Sequence, residues 1–163
     1  MRVNEILNEL KINNATGIGQ VPLNQEVDYH GLQVAMRPST FLRLALPLDV
    51  NKPDELKTIG HLQKHLDEPG IGAPFLNIVV PEAWESGDFK EPAKVAGHDG
   101  RHRMYAIMNE QGDEPVEVHL FPRYLRRRHI TDEIIEHLRN GIVGQQGDYV
   151  RGPIFGEDRK SNV

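Results

Sequence analysis

The chain has 163 residues, of which 38% are hydrophobic and 26% charged, a balance typical of one globular domain. It contains no cysteine, which excludes disulfides, thiolate nucleophiles, iron–sulfur clusters and cysteine-ligated zinc. The formal net charge of -5 disfavours a general coating of nucleic acid but permits a local basic site. No apolar run approaches the ~20 residues that span a membrane, so we expect a cytoplasmic protein.

The N-terminal half of the sequence combines helix-like and extended segments. The stretch before His30 is turn-prone and lacks periodicity, which is typical of a loop. Pro53 followed by Asp54 and Glu55 predicts a helix start, because acidic side chains complement the positive end of the helix dipole. The predicted elements are a helix with Val3, Ile6, Leu7 and Leu10 on one face, a strand over 31–36, a helical turn from Pro38 with Phe41, Leu42 and Ala45 facing inward, and a helix over 53–66 with Leu56, Ile59, Leu62 and Leu66 as its apolar stripe.

Strands and helices also alternate in the C-terminal half. The run from Phe75 to Val80 is short, apolar and rich in β-branched residues, which predicts a buried strand. Thr131 before two acidic residues predicts a capped helix. The other predicted elements are a loop over 82–92, a strand over 93–96, a helix over 101–111, an alternating strand over 115–121 and one strand in the tail. This order predicts an α/β (α+β) fold, with a single small mixed sheet flanked by helices.

The densest polar cluster, GHDGRHR at 97–103, lies between a predicted strand and a predicted helix. Glycines let the backbone approach a ligand, the N–H groups of a helix start attract anions, and arginine matches phosphate oxygens. These features predict a phosphate cradle; the alternative interpretation is a solvated turn whose arginines pair with Asp99 and surface acids. The predicted phosphate- or nucleotide-binding residues are Gly97, His98, Gly100, Arg101, His102 and Arg103, and the catalytic candidates are Asp99, His102 and Arg103.

The stretch from Lys94 to Phe121, with the preceding helix and strand from Pro53 to Val80, resembles the ParB/sulfiredoxin-like superfamily. The segment Asp-Gly-Arg-His-Arg at 99–103 is similar to the Asp-Gly-His-His-Arg form of that family's turn motif. The resemblance implies a domain in which the turn and helix start bind nucleotide phosphates, usually with Mg²⁺. Members include sulfiredoxins, free-serine kinases, CTP-using ParB clamps and ParB-like nucleases.

The sequence departs from the pattern of known family members in two respects, which reduces the activities that the resemblance implies. A sulfiredoxin needs a cysteine in the turn, where Arg101 stands, so that activity is excluded. A partitioning ParB would continue into a helix-turn-helix and a dimerisation domain, which is not expected here. The resemblance implies a core at 51–122, with an N-terminal extension at 1–50 and a C-terminal helix and tail at 123–163 in the same domain. The segment 28–45 is similar to a pattern in uncharacterised phage-encoded proteins, which implies a host cytoplasm or a virion.

A metal ion is a further possibility at the polar cluster. His98 and His102 lie four residues apart, but Gly100 separates them and a catalytic zinc site needs a third ligand. Mg²⁺ held by ligand phosphates and one carboxylate, with Asp99 as the first candidate, fits the cluster better.

Other polar groups are weaker candidates for a site. His61 and His65 are interpreted as a solvated helix face or the edge of its apolar stripe. A basic run, which is either a nucleic-acid contact or a solvated surface paired to the acids that follow it, comprises Arg123, Arg126, Arg127, Arg128 and His129. Three loop acids flanking Trp84 are expected to face the turn as a base or metal ligand, namely Glu82, Glu85 and Asp88.

The sequence is therefore compatible with three functions. The first is a nucleotide-dependent enzyme that catalyses phosphoryl transfer, NTP hydrolysis or phosphodiester cleavage, all of which need the same electrostatic cradle. The second is a non-catalytic binding module or virion-associated interaction protein that reuses the fold with a protein partner. The third is a small DNA-binding regulator, supported only by the basic run.

Overall fold

The computed structural model describes residues 18–24, 27–68, 72–123 and 130–156. Its strands are β1 (Ile18–Asn24), β2 (Val27–Met36), β3 (Phe75–Val79), β4 (Lys94–Asp99), β5 (Val116–Arg123), β6 (Gly141–Val143) and β7 (Tyr149–Arg151). Its α-helices are α1 (Pro38–Leu44), α2 (Pro53–Lys64), α3 (Arg101–Gln111) and α4 (Asp132–Asn140), and a short 3-10 helix spans Glu82–Ser86. Within these ranges the strands form one sheet in the order β1-β2-β5-β3-β4-β6-β7. The predicted α+β fold with a single mixed sheet is confirmed.

The register of the four central strands places one row of side chains on a common face. Strand β5 pairs antiparallel with β2 and parallel with β3, and β3 pairs antiparallel with β4. Gln33 lies opposite His119, His119 opposite Phe75, and Phe75 opposite Asp99. Because directly paired residues share a face of the sheet, these four positions form a single row.

The opposite face of the central strands packs into the hydrophobic core. The helices add their own apolar faces, and Ile59 of α2 and Met104 of α3 are both buried. The prediction for Leu56 is wrong, because this side chain is 53% exposed in the first turn of α2, ahead of the turns that pack on the core. The core residues of the central strands include Leu32, Val34, Leu76, Ile78, Val118 and Leu120.

The predictions for the N-terminal stretch and for the tail have different outcomes. The loop prediction is wrong at residues 18–24 and 27–30, because β1 pairs antiparallel with β2 there. Pairing with β2 outweighs the weak local preference, and an edge strand such as β1 tolerates Pro22, which cannot donate to a ladder. The predicted strand in the tail is confirmed as β7, whereas the short strand β6, which ends before the tail, was not predicted. The predicted helix over 3–10 lies outside the described residues.

The predicted loop over 82–92 also contains regular structure. The 3-10 helix Glu82–Ser86 buries Trp84, whose indole N–H donates to the Glu91 carbonyl oxygen at 2.7 Å. No helix in the described ranges is long and apolar enough to cross a membrane.

The predicted cap of α4 is confirmed and gives a stability test. Thr131 Oγ1 accepts a hydrogen bond from the Ile134 N–H at 3.2 Å. We expect Thr131→Ala to lower the free energy of unfolding by about 1 kcal/mol, because this N–H then loses its partner in the protein. Urea unfolding measures the loss. Thr131→Ser retains the hydroxyl, so an equal loss in that variant would contradict the assignment.

Candidate functional site

The turn that joins β4 to α3 consists of Gly100 alone. Its φ is +109°, and a Cβ there would lie 2.8 Å from Pro74 Cβ and 3.0 Å from Pro74 Cα. Both the backbone angle and the lack of space therefore require glycine. Residues 97–99 extend β4 beyond the predicted strand over 93–96, whereas the helix begins at Arg101 as predicted, so the turn is shorter than the predicted gap between the two elements.

The start of α3 carries an unusual charge. Its first turn contains Arg101, His102 and Arg103 but no acidic residue, and no side chain in the described ranges caps it. Each positive charge near the positive end of a helix dipole costs about 0.3–1 kcal/mol at an exposed position. The other α-helices are compensated: α2 has Asp54 and Glu55 in its first turn, α4 has its Thr131 cap with Asp132 and Glu133, and α1 receives Asp113 at Ser39. His102 and Arg103 bind carboxylates outside the helix, so the charge that an anion at the start of α3 would balance is that of Arg101.

Arg103 links the end of β4 to the segment before β3. Its Nη2 donates to Asp99 Oδ2 at 2.6 Å, and its Nη1 donates to the carbonyl oxygen of Gly72, in the segment before β3. The Arg103 side chain is only 17% exposed, whereas that of Asp99 is 60% exposed. The structure therefore bears out the pairing with Asp99 that the alternative interpretation expects, and Arg103 acts first as a structural tie.

Arg101 and His102 reach two different neighbours. Arg101 Nη1 donates to the carbonyl oxygens of Pro47 at 2.9 Å and Leu46 at 3.3 Å. Because these partners are neutral, they leave the positive charge of Arg101 uncompensated. His102 Nε2–H donates to a carboxylate oxygen of Glu55 on α2, and this contact fixes its ring. Arg101 is thus the strongest candidate in the cluster for contact with an anion.

His98 lies on the other face of β4 from Asp99. It pairs with Leu76 in register, on the core side, and its Nδ1 donates to Gln145 Oε1 at 2.6 Å. His98 and His102 thus bind separate partners. No group of three metal-binding side chains occurs in the part of the chain that the structure describes.

The loop acids are at the wrong end of the sheet to face the turn. Because β3 and β4 are antiparallel, Phe75 pairs with Asp99 beside Gly100, whereas Val79 pairs with Lys94 at the far end. Residues 82–88 follow the far end of β3, so the prediction that Glu82, Glu85 and Asp88 face the turn is wrong. A cavity of about 520 Å³ lies at that far end, lined by Val79, Pro81, Glu91, Pro92, Lys94, Val95, Ala96 and Gln145.

The remaining candidates lie away from the turn or outside the described ranges. On α2, His61 is exposed and His65 partly exposed, and their ring centroids are 4.5 Å apart. Of the basic run, Arg123 is exposed at the end of β5. The run's other members lie outside the described residues, namely Arg126, Arg127, Arg128 and His129.

A buried polar cluster on β2 and β5 was not predicted. Glu117 is 1% exposed, and its Oε1 accepts hydrogen bonds from Gln33 Nε2 at 3.1 Å and from His119 Nε2 at 2.7 Å. The alternating pattern of residues 115–121 indicates which residues share a face of β5. It does not indicate that this polar face is buried at Glu117. The cluster is unusual because its polar groups are buried.

Comparison with known proteins finds no protein-family model, curated protein or solved structure that matches the chain. The resemblance to the ParB/sulfiredoxin-like superfamily therefore stays a prediction that rests on the motif at 99–103 and the order of the elements around it.

Proposed function

We propose that the chain binds a phosphate-bearing ligand, specifically a nucleotide, at the start of α3. The observation that carries this proposal is a helix whose first turn holds three basic residues, no acid and no side-chain cap among the described residues. Backbone N–H groups at such a helix start point toward a bound anion. The same site is the one on which the ParB/sulfiredoxin-like resemblance would place phosphates.

The three basic residues at the start of α3 would have different roles, because their contacts differ. The guanidinium of Arg101 has five N–H donors, and its protein contacts to Leu46 and Pro47 use only Nη1. Its other donors would hold the phosphate. Arg103 keeps Asp99 and the segment before β3 in place, and Glu55 keeps the ring of His102 in place. These ties orient the site before a ligand arrives, which lowers the entropic cost of binding.

The proposed chemistry is phosphoryl transfer, NTP hydrolysis or phosphodiester cleavage. Asp99 binds Arg103 through Oδ2 and is 60% exposed, so it fits as the single protein carboxylate on a Mg²⁺ ion that a nucleotide brings with it. When bound, Mg²⁺ would neutralise phosphate charge. His102, oriented by Glu55, is the group that would hold a proton.

A non-catalytic binding module, with a protein partner or in a virion, is the second candidate. It is favoured by the fact that Asp99, His102 and Arg103 all bind other protein groups. We propose a cytoplasmic setting for either function.

Arg101→Gln tests the phosphate site. The substitution removes the positive charge but keeps an N–H donor for the carbonyl oxygens of Leu46 and Pro47. We expect affinity for ATP, CTP and ADP to fall about ten-fold or more, because a hydrogen bond to a charged group contributes about 1.5–3 kcal/mol. Isothermal titration with and without Mg²⁺ measures the change.

Arg151→Gln is the matched control. Arg151 is exposed on β7, at the sheet edge, with its guanidinium 5.5 Å from the centre of the Tyr149 ring. Both variants change the net charge equally, so only a specific contact separates them. Equal affinities for the two variants would refute the assignment of Arg101, and absence of nucleotide binding by the unmodified protein would refute the proposed function.

A further inference from the structure

The row of side chains that crosses the sheet continues from the turn toward the buried polar cluster. Asp99, beside the start of α3, pairs with Phe75, and Phe75 pairs with His119. Neighbouring strands lie about 4.8 Å apart, so the Cα atoms of Asp99 and His119 are separated by roughly 10 Å, with Phe75 between them. A ligand that is anchored at the start of α3 and extends along this face would therefore meet Phe75 and then His119.

The contacts of His119 leave one ring nitrogen as an acceptor. A carboxylate offers only acceptor oxygens, so His119 Nε2 carries the proton that it shares with Glu117. In the neutral ring, Nδ1 then presents a lone pair. Gln33 donates to the same oxygen of Glu117 and holds the carboxylate in place. The imidazole is 23% exposed, so a small ligand group can reach it.

The burial of Glu117 lowers the stability of the fold. Its Oε2 has no hydrogen-bond partner and is inaccessible to solvent. A buried carboxylate with an unpaired oxygen destabilises a fold, so a role other than stability is needed to explain why it is there. Orienting the ring of His119 is a purpose that its geometry meets, as carboxylates do for histidines in many binding and catalytic sites.

Phe75 supplies an apolar surface between the two polar groups. It is partly exposed, and its ring packs edge-on against Phe121, with centroids 5.5 Å apart. Phe121 in turn lies over Gly31, where a Cβ would fall 2.3 Å from the ring. Phe121 therefore restricts the movement of the Phe75 ring, as a stacking surface for a nucleic-acid base requires.

We infer that this face is the subsite for the nucleoside part of the ligand. The base stacks on Phe75, and His119 Nδ1 accepts a hydrogen bond from an amino group of the base or a hydroxyl of the sugar. Glu117 and Gln33 are positioning residues that act through His119. This inference rests on the proposed phosphate site and adds to it, since a ligand made of phosphate alone would have no use for the face.

The test compares two probes, a nucleoside triphosphate (ATP or CTP) and inorganic triphosphate. Phe75→Leu keeps an apolar side chain, and His119→Gln keeps an N–H donor for Glu117, so both variants should fold. We expect each to weaken nucleotide binding about ten-fold and to leave the affinity for inorganic triphosphate unchanged. Arg101→Gln should weaken both probes. Isothermal titration provides all the affinities.

Glu117→Leu separates positioning from stability, because leucine has a similar volume but no oxygen that could accept from His119. We expect the ¹⁵N spectrum of His119 to lose its single Nε2–H tautomer and nucleotide affinity to fall, with triphosphate affinity and the fold retained. A purely structural Glu117 would leave the tautomer unchanged, and that result would overturn its positioning role.

The outcomes also separate this inference from the proposed function. Unchanged nucleotide affinity in Phe75→Leu and His119→Gln, together with a loss in Arg101→Gln, would overturn the subsite and leave the phosphate site standing. Equal weakening of both probes by Phe75→Leu and His119→Gln would also overturn it. If the unmodified protein binds neither probe, both proposals fail.

Discussion

Replacing Gly100 with alanine is expected to lower the free energy of unfolding by about 2–5 kcal/mol, the combined cost of a left-handed backbone and an overpacked contact. The φ of +109° is unfavourable for alanine, and its Cβ would lie 2.8–3.0 Å from atoms of Pro74. To relieve the contact, α3 must shift away from β3. Because that shift displaces the start of α3, we also expect nucleotide binding to be lost. Urea unfolding and isothermal titration measure the two effects.

Gly87→Ala separates the two causes. Gly87 also has a positive φ, +89°, but a Cβ there would meet no atom within 4 Å. It should therefore cost only about 1–2 kcal/mol, the penalty of the left-handed conformation. Equal destabilisation by Gly100→Ala and Gly87→Ala would show that the contact with Pro74 is not limiting, and that the single-residue turn does not fix the start of α3.

Features set by local sequence could be predicted. Helix α3 begins and ends at the predicted residues because Gly100 and Gly112, both at positive φ, flank it. The cap of α4 by Thr131 follows equally from neighbours in the chain. Backbone angles, capping and dipole effects act within a few residues, so the sequence contains the whole of the signal.

The partners of the candidate site could not be predicted, because they come from distant parts of the chain. His102 binds Glu55 and His98 binds Gln145, each across 47 residues. Such pairs depend on which helices and strands become neighbours, and nothing local specifies that. The error over residues 18–24 and 27–30 has the same origin, since β1 becomes a strand through pairing with β2.

The buried polar cluster shows the same limit on one strand. Gln33 and Glu117 are 84 residues apart, and they meet because β2 pairs with β5. Alternation along β5 places Glu117 and His119 on one face, but only the folded sheet shows that this face is covered at Glu117. An unpaired buried oxygen then distinguishes this carboxylate from an ordinary surface acid.

Removing the imidazole of His119 is expected to cost about 3 kcal/mol while Glu117 is present, because a buried carboxylate that loses a charge-assisted partner is left poorly compensated. In the Glu117→Gln background the same His119→Ala substitution should cost only about 1 kcal/mol, since the group left behind is neutral. The coupling energy between the two positions is therefore about 2 kcal/mol. Urea unfolding of the four proteins in this double-mutant cycle measures it.

The sign and size of this coupling decide how Glu117 acts on His119. A coupling near 2 kcal/mol means that the buried carboxylate is charged and depends on the imidazole, so it also holds the ring in one tautomer. Additive losses, within about 0.5 kcal/mol, would mean that Glu117 gains nothing from His119. The 2.7 Å contact would then carry no orienting force, and His119 Nδ1 would have no fixed direction toward a ligand on Phe75.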